Sequence, residues 1–482
     1  MRRSLPPLDS PMPALGIAIG GVFGAAALVR GHFDPDFFWH LATGRLIIVD
    51  RAIPTTDPFS FTWFGEPWVP DQWLAQIAIA ATFDFIGGAA MLVIFGVLAA
   101  FGLAFIGEAM RREGARVTVI VGLTLVAGAA LLSQVTARPQ VVSFAILGAL
   151  LAILIRARPE SGWRLWLLPI LFLVWANTHG FFIIGLGVGF VYLVATLLGR
   201  TPMRERRKVV LGAGLASLIA TMLTPQGPAG ILYALSFGDS GDWGARNIAE
   251  WQSPNFHDPQ FLPFLALLLV VLVVGIRRVP GWLAVIAIMG MTLGLVAIRT
   301  IGVGALMILP AAIAAASERL GERRTTRSDP ARRWLEVGVA GVIGAVVLGA
   351  ALGRGPIRVD DRHLPVAGIE ILSRSDPGVR LLASYGWGGY AISELYPTGG
   401  RVFVDGRMHK YAPEVMEDYL AIADASPGWQ QLADRYGVEA MLLRADALVT
   451  RGIAQEAGWC EVYRDDLQVL LLPACAQGGS TS

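Results

Sequence analysis

Asp34-Pro35-Asp36 sets two carboxylates one residue apart, directly after the first apolar stretch and before the aromatic run Phe37-Phe38-Trp39-His40. A carboxylate placed there can take the proton of a bound hydroxyl. Acids beside hydrocarbon are costly, so a pair at a membrane boundary points to function. Capping of a helix that starts near Phe37 is the competing reading, and it accounts for one acid better than for two. Farther along, Arg138 precedes Pro139, and Asn177 and His179 share a short polar turn. Glu250, Trp251, His257 and Asp258 lie in a long polar loop, and Arg299 sits with Thr300 between two apolar runs. Arginines at such points can hold a departing phosphate while an acid deprotonates the attacking group. Each has a plainer account: Arg138 can meet a lipid headgroup, and Asn177 and His179 can satisfy backbone freed where two helices meet. His179 and Asp36 have no ligand spacing such as His-x-x-x-His beside them, so the sequence assigns no metal and no cofactor.

The elements that must position these groups are set by composition. The 482 residues are 54% hydrophobic and 16% charged, against about 25% charged in an ordinary soluble domain. That balance describes an integral membrane protein. The formal net charge of +2 gives no indication of nucleic acid as a partner. Residues 13–29 read as a retained first span rather than a cleaved signal, since no small-residue cleavage pattern follows them. Cys460 and Cys475 match no metal or redox spacing; they form a disulfide if that end is outside the cell, or remain two thiols.

Basic clusters orient the chain. Residues 111–116, 156–164, 204–208, 277–278 and 317–333, the last with six arginines, all fall on one side if apolar runs alternate as crossings. Residues 73–85 are too short to span and would put the 111–116 cluster outside. They are expected as an interfacial helix, like residues 37–49 before them, with span 2 at 88–109. Later spans fall at about 117–133, 140–155, up to 175, up to 199, up to 222, up to 276, up to 298, 301–316 and 335–352. The result is about eleven crossings, with Asp34, Asp36, His40, Arg138, His179, Glu250 and Arg299 on one outer face. Gly185-x-Gly187-x-Gly189 lies mid-span with no strand before it, so helix packing explains it. Asp84 reads as a solvated acid at a helix end.

From residue 354 the pattern changes. Helices at 364–373, 389–394, 413–423 and 429–436 alternate with strands at 379–383, 401–404 and 440–443, closed by a hairpin of 459–464 with 467–472. That alternation predicts a small α/β domain. The expected organisation is a membrane domain over 1–353 that includes the outer loop 31–73, an extracytoplasmic α/β domain over 354–476, and a disordered tail over 477–482. Asp405-Gly406-Arg407 follows a strand, where open sheets bind ligands, although a tight turn with a local Asp–Arg pair is the slightly favoured reading. Tyr385-Gly386-Trp387-Gly388-Gly389-Tyr390 offers either an aromatic platform for a sugar or a surface that packs the domain on the membrane.

These features together resemble the GT-C type membrane glycosyltransferases, in the broad group of protein mannosyltransferases and aminoarabinose transferases. The resemblance rests on the Asp34-Pro35-Asp36 outer loop, the interfacial helices, the many spans and the C-terminal domain. It also rests on the strings Asp36-Phe37-Phe38-Trp39-His40, Arg138-Pro139-Gln140, Trp175-Ala176-Asn177-Thr178-His179-Gly180 and Trp387-Gly388-Gly389-Tyr390. It implies an α-helical polytopic membrane enzyme that moves a sugar from a polyprenyl-phosphate donor to a glycan, lipid or protein acceptor, with inversion. Asp36 or Asp34 would be the base. Arg138, Arg299 and His179 would bind the donor phosphate, and His40, Asn177, Glu250 and Trp251 the substrates. The best-known mannosyltransferases carry adjacent Asp-Glu, whereas Pro35 separates the acids here, so the base is either one. Two other readings compete: a ligase of lipid-linked glycans, for which Arg246 would matter more, and a lipid or solute transporter, against which the sequence shows no inverted repeat.

Overall fold

The computed structural model describes residues 33–236, 247–275, 279–320, 363–447 and 458–473, together with residues 22, 23, 25, 26, 450 and 452. The expected span at 335–352, the tail at 477–482, Arg246, Cys475 and almost all of 13–29 lie outside the described residues. The chain forms two compact units, one of Met1–Gly31 with Ile86–Ile357 and one of His32–Phe85 with Arg358–Ser482.

The first unit is helical. Helices occur at Val117–Leu132, Gln140–Ile155, Leu168–Ala176, Phe182–Leu197, Arg207–Thr221, Leu262–Val274, Gly281–Val296 and Ile301–Arg319, where the apolar runs predict them. Trp73–Arg112 breaks at Gly87, whose φ of 80° suits only glycine, so the interfacial segment and span 2 separate where expected. The expected count of about eleven crossings is not established. Among the described residues Trp73–Arg112 and Ile298–Arg319 are long and apolar enough to cross, and Phe182–Leu197 with Pro202–Thr221, bent by 82°, makes a third if taken as one broken span. A helix of 16 residues rises only about 24 Å against the ~30 Å of hydrocarbon. The helices Leu168–Ala176, Arg207–Thr221 and Leu262–Val274 are shorter still, because Pro159, Pro202 and Pro259 each open a tight 3-10 turn just before them.

Ile301–Arg319 is buried on every side along most of its length, so it forms the core of this unit. Its Gly304 meets Gly290, and Gly102 meets Gly148, so closely that a Cβ on either pair would overlap backbone. Such small-residue crossings replace the hydrophobic effect as glue in lipid. Gly185 is likewise pressed on the Trp175 ring and Gly187 faces the Met289 methyl, which accounts for these two as packing, whereas nothing lies within 4 Å of a Cβ at Gly189. On the outside, Leu272 is 78% and Phe190 66% exposed, an arrangement suited to acyl chains as solvent.

The second unit is a sheet of order β2-β1-β3-β5-β4, with β1 Arg380–Ala383, β2 Arg401–Val402, β3 Ala440–Arg444, β4 Trp459–Arg464 and β5 Gln468–Pro473. β1 pairs parallel with β2 and β3, while β5 runs antiparallel to β3 and β4. Helices Val366–Ser375, Gly388–Leu395, Pro413–Ala423 and Trp429–Tyr436 alternate with the strands as the sequence predicts. The loop 31–73, assigned from sequence to the membrane domain, packs here instead. Its residues 59–61 run along β2, with Val402 N–H donating to Phe59 O at 3.1 Å and Phe61 N–H to Val402 O at 3.0 Å. Exposed backbone on β2 needs partners, and the loop supplies them. Cys460 is disulfide-bonded.

Candidate active site

Asp34 and Asp36 have different roles in the helix Pro35–Asp50. Asp34 is the N-cap, with extended backbone (φ −61°, ψ 141°), and its Oδ1 accepts the Asp36 N–H at 3.0 Å. Pro35 follows at the first helical position, where its missing N–H costs nothing. Asp36, in the first turn, is not used as the cap. Its carboxylate lies against Gly406, where a Cβ would overlap Asp36 Oδ1 and crowd Trp39 Nε1. Gly389 stands against Pro35 O and Trp39, and Gly388 against Val404 O and Asp405, each too close for a Cβ. Trp387-Gly388-Gly389-Tyr390 and Asp405-Gly406-Arg407 thus form a glycine seat for the start of the Pro35–Asp50 helix. The seat lies just past the carboxyl ends of β1 and β2, the place where open sheets bind ligands. Trp387 and Tyr390 are buried; Trp387 Nε1 donates to His363 O at 3.0 Å, and the Tyr390 ring meets Phe38 edge-on at 5.1 Å. These two rings pack inside the sheet unit, against His363 and Phe38, rather than on the membrane surface expected from sequence.

Behind the seat lies a buried ionic group. Arg407 donates to Asp405 through Nε (2.7 Å) and Nη2 (2.6 Å), and through Nη1 to Asp57 of the outer loop at 2.9 Å. Lys410 also bonds Asp57, Tyr411 O–H donates to Asp405 at 2.6 Å, and the Trp68 ring covers Arg407 at 4.4 Å. Burial alone would raise both carboxyls. The charges of Arg407 and Lys410 outweigh it and hold Asp57 and Asp405 below the usual range. Burial, then the Arg407 charge, brings Lys410 down to about 7. The Asp405–Arg407 pair expected from sequence is present; its extension to Asp57 and Lys410 was missed. An acid and a lysine set among prolines and aromatics in otherwise ordered loops were the available signal.

The helical unit gathers a second set. Arg138 Nη1 donates to both Glu250 oxygens at 2.7 and 2.9 Å, and Arg299 Nη1 stands 3.7 Å from Glu250. Trp251 lies under the Arg299 guanidinium at 5.6 Å, and Gln140 Nε2 donates to Arg299 O at 3.3 Å. The Ile298 N–H to Gln252 O bond of 2.9 Å ties the two turns together. Burial would raise Glu250, but Arg138 and Arg299 pull it lower. His179 is buried beside them. Trp175 Nε1–H donates to Ser143 Oγ at 2.9 Å, so the Ser143 hydroxyl is directed to His179 Nδ1 at 3.1 Å, and the Phe181 N–H also donates there at 3.2 Å. With Nδ1 accepting twice, the ring proton belongs on Nε2. Burial first, then Arg299 and Arg138, keep His179 well below its ordinary pKa and therefore neutral. Ser143, three residues past Gln140 on one helix face, was missed; polar residues at that spacing in an apolar run were the signal.

Other expected residues are used elsewhere. His40 is buried and its Nδ1 bonds Gln76 Nε2 at 3.2 Å, joining two helices of the sheet unit. Asn177 Nδ2 donates to Leu173 O (2.8 Å) and Leu223 O (3.0 Å), the backbone-satisfying role. Asp258 caps a turn through the Gln260 N–H at 3.1 Å, and Asp84 pairs with Arg45 at 2.6 Å. Among the described residues no group of three or more His, Cys, Asp or Glu side chains is arranged to hold a metal.

No protein-family model matches the sequence, and no curated protein matches it. Solved structures do match. The archaeal oligosaccharyltransferase AglB from Archaeoglobus fulgidus, in complex with an inhibitory peptide and a dolichol-phosphate, is similar with a TM-score of 0.57 and 10% identity, over 89% of this chain and 69% of that one. ArnT from Cupriavidus metallidurans, bound to undecaprenyl phosphate, gives 0.53 and 15%, over 96% and 98%. The arabinofuranosyltransferase AftD from Mycobacteria gives 0.50 and 15%, over 95% and 41%. The chain therefore has the fold of the GT-C membrane glycosyltransferases, a helical unit with a small sheet unit.

Proposed function

We propose that this protein is a multi-pass membrane glycosyltransferase that moves a sugar from a polyprenyl-phosphate-linked donor to a glycan, lipid or protein acceptor on the extracytoplasmic face. The observation that carries the reading is the fold shared with ArnT along nearly the whole length of both chains, that protein having been solved with undecaprenyl phosphate. The seated carboxylate Asp36 and the arginine pair Arg138–Arg299 supply the chemistry such a reaction needs. The disulfide at Cys460 supports an oxidising compartment for the sheet unit.

In this reading Asp36 takes the proton of the acceptor hydroxyl as its oxygen bonds the anomeric carbon. The bond from that carbon to the phosphate oxygen breaks on the opposite face, and polyprenyl phosphate leaves with the electron pair. One displacement inverts the configuration. Asp34 keeps the helix start in place, and so positions Asp36 rather than sharing its role. Arg138 and Arg299 meet the charge that grows on the phosphate, with Glu250 between them fixing their spacing. His179 adds a neutral Nε2–H donor. Trp251 holds the Arg299 plane.

The test is transfer of radiolabel from a panel of polyprenyl-phosphate sugars in membranes containing the full chain. One donor sugar transferred, with no transfer from the matching nucleotide sugars, is the expected result. Transfer from a nucleotide sugar with none from any lipid-linked donor would overturn the reading.

A further inference from the structure

Gln140–Ile155, Gly281–Val296 and Ile301–Arg319 each have one end at the Arg138–Glu250–Arg299 group. Their other ends, about 24 Å away, surround a cavity of about 800 Å³. That volume suits a ligand site. Its floor is apolar, with Met110, Leu154, Trp282 and Leu283, and its rim carries Arg116, Arg158, Arg200, Arg204, Glu113, Glu205 and Glu318. The rim charges are not equally engaged. Glu113 is bonded by Arg156 at 2.9 Å and by Arg158, and the Arg158 Nη1 also donates to Ile155 O and Ala157 O. Arg200 and Arg204 are exposed, and among the described residues neither side chain has an ion pair or hydrogen bond. Glu205 beside them likewise has no ion pair or hydrogen bond among the described residues, which leaves this part of the rim net positive.

A second cavity, apolar and of about 250 Å³, shares Leu154 with the first and lies between Phe182–Leu197 and Arg207–Thr221. The two meet at an aromatic pair: Tyr192 lines the apolar one, Trp282 the charged one, and their rings pack edge-on at 5.0 Å. A guanidinium pair over an apolar floor that continues between helices matches a molecule with an anionic head and a hydrocarbon chain. We propose that this cavity is a second lipid site, which takes a phosphate head at Arg200 and Arg204 and leads the chain past Leu154 and Trp282 toward the apolar pocket. It lies at the ends of these helices remote from the Arg138–Glu250–Arg299 group and stands or falls independently of the proposed transfer.

The shared chemistry is a phosphate, from a lipid headgroup or free in solution, and native mass spectrometry of the purified full chain separates the sources. The probes are dioleoyl phosphatidic acid, dioleoylglycerol with the same chains and no phosphate, and inorganic phosphate. The copy counted is the one that depends on Arg200 and Arg204. Wild type should retain one such copy of phosphatidic acid and none of dioleoylglycerol. The double variant Arg200→Gln/Arg204→Gln should weaken retention at least about tenfold, and Trp282→Ala should weaken it through the chain. Both arginines are exposed, so the double variant should fold; an unchanged melting curve checks this. Inorganic phosphate displacing the lipid at matched concentration, with Trp282→Ala unaffected, would overturn the lipid assignment and leave a soluble phosphate site. Equal retention by wild type and double variant, or equal retention of dioleoylglycerol, would overturn the site altogether.

Discussion

Each unit of this protein holds an arginine–carboxylate group, and the two use their hydrogen-bonding capacity differently. In the sheet unit, the side chains of Arg407 and Lys410 are 4% and 5% exposed and those of Asp57 and Asp405 are fully buried. Arg407 spends Nε, Nη1 and Nη2 on two carboxylates. In the helical unit, Arg138 is 14%, Arg299 22% and Glu250 36% exposed, and one carboxylate serves both arginines, at 2.7 and 3.7 Å. A sealed and satisfied group fixes a shape, since removing one partner strands a buried charge. A group that is partly exposed stays accessible to a ligand. The first joins the outer loop to the C-terminal sheet and forms the floor under Asp36. The second is the group proposed above to hold the donor phosphate.

Breaking the sealed group should have the largest effect. Arg407→Ala should cost about 3–5 kcal/mol of stability, read by thermal unfolding in detergent, whereas Arg138→Ala should leave the melting curve nearly unchanged. The same contrast has a pH signature. Asp57 and Asp405 sit below the ordinary carboxylate value of 3.8, so the unfolded chain takes up protons first as pH falls. Their contribution is complete above that value and is lost as pH drops through the lower folded values. In Arg407→Met that acid step should be displaced, and an unmoved step would contradict the assignment.

A smaller expected effect concerns the seat. Gly406→Ala puts a methyl where the Asp36 carboxylate lies and should lower kcat about 100-fold through misplacement, with KM for the donor little changed. A fall in stability with kcat preserved would show that Gly406 serves packing alone. Smaller again, Arg138→Ala should raise KM for a lipid-linked donor and lower kcat, together about tenfold in kcat/KM, the worth of one charge-assisted hydrogen bond. An unchanged kcat/KM would remove the partly exposed group from donor binding.

Much of this was legible in the chain itself. Apolar runs separated by basic clusters placed nearly every described helix, because hydrocarbon imposes one strong rule on each residue. Pro413–Ala423 and Trp429–Tyr436 were located to the residue from turn signals and helical periodicity. Arg138, Arg299 and Glu250 were singled out from sequence, but their pairing was not. What stayed hidden was non-local. Asp57 meets Arg407 from 350 residues away, and no local pattern marks that partner. The lodging of residues 59–61 on β2 is likewise a backbone contact with no side-chain code. Asp34 and Asp36 could not be told apart until the cap geometry showed which acid holds the helix.

That distinction is also where the account is most directly tested. Asp34→Asn and Asp36→Asn can be compared with wild type at matched expression, in single-turnover transfer from the lipid-linked sugar that the wild type uses. The account predicts that Asp36→Asn lowers the rate by about 100-fold or more, the worth of a general base, while Asp34→Asn retains transfer because asparagine caps a helix nearly as well as aspartate. Loss of transfer in Asp34→Asn with Asp36→Asn active would contradict it.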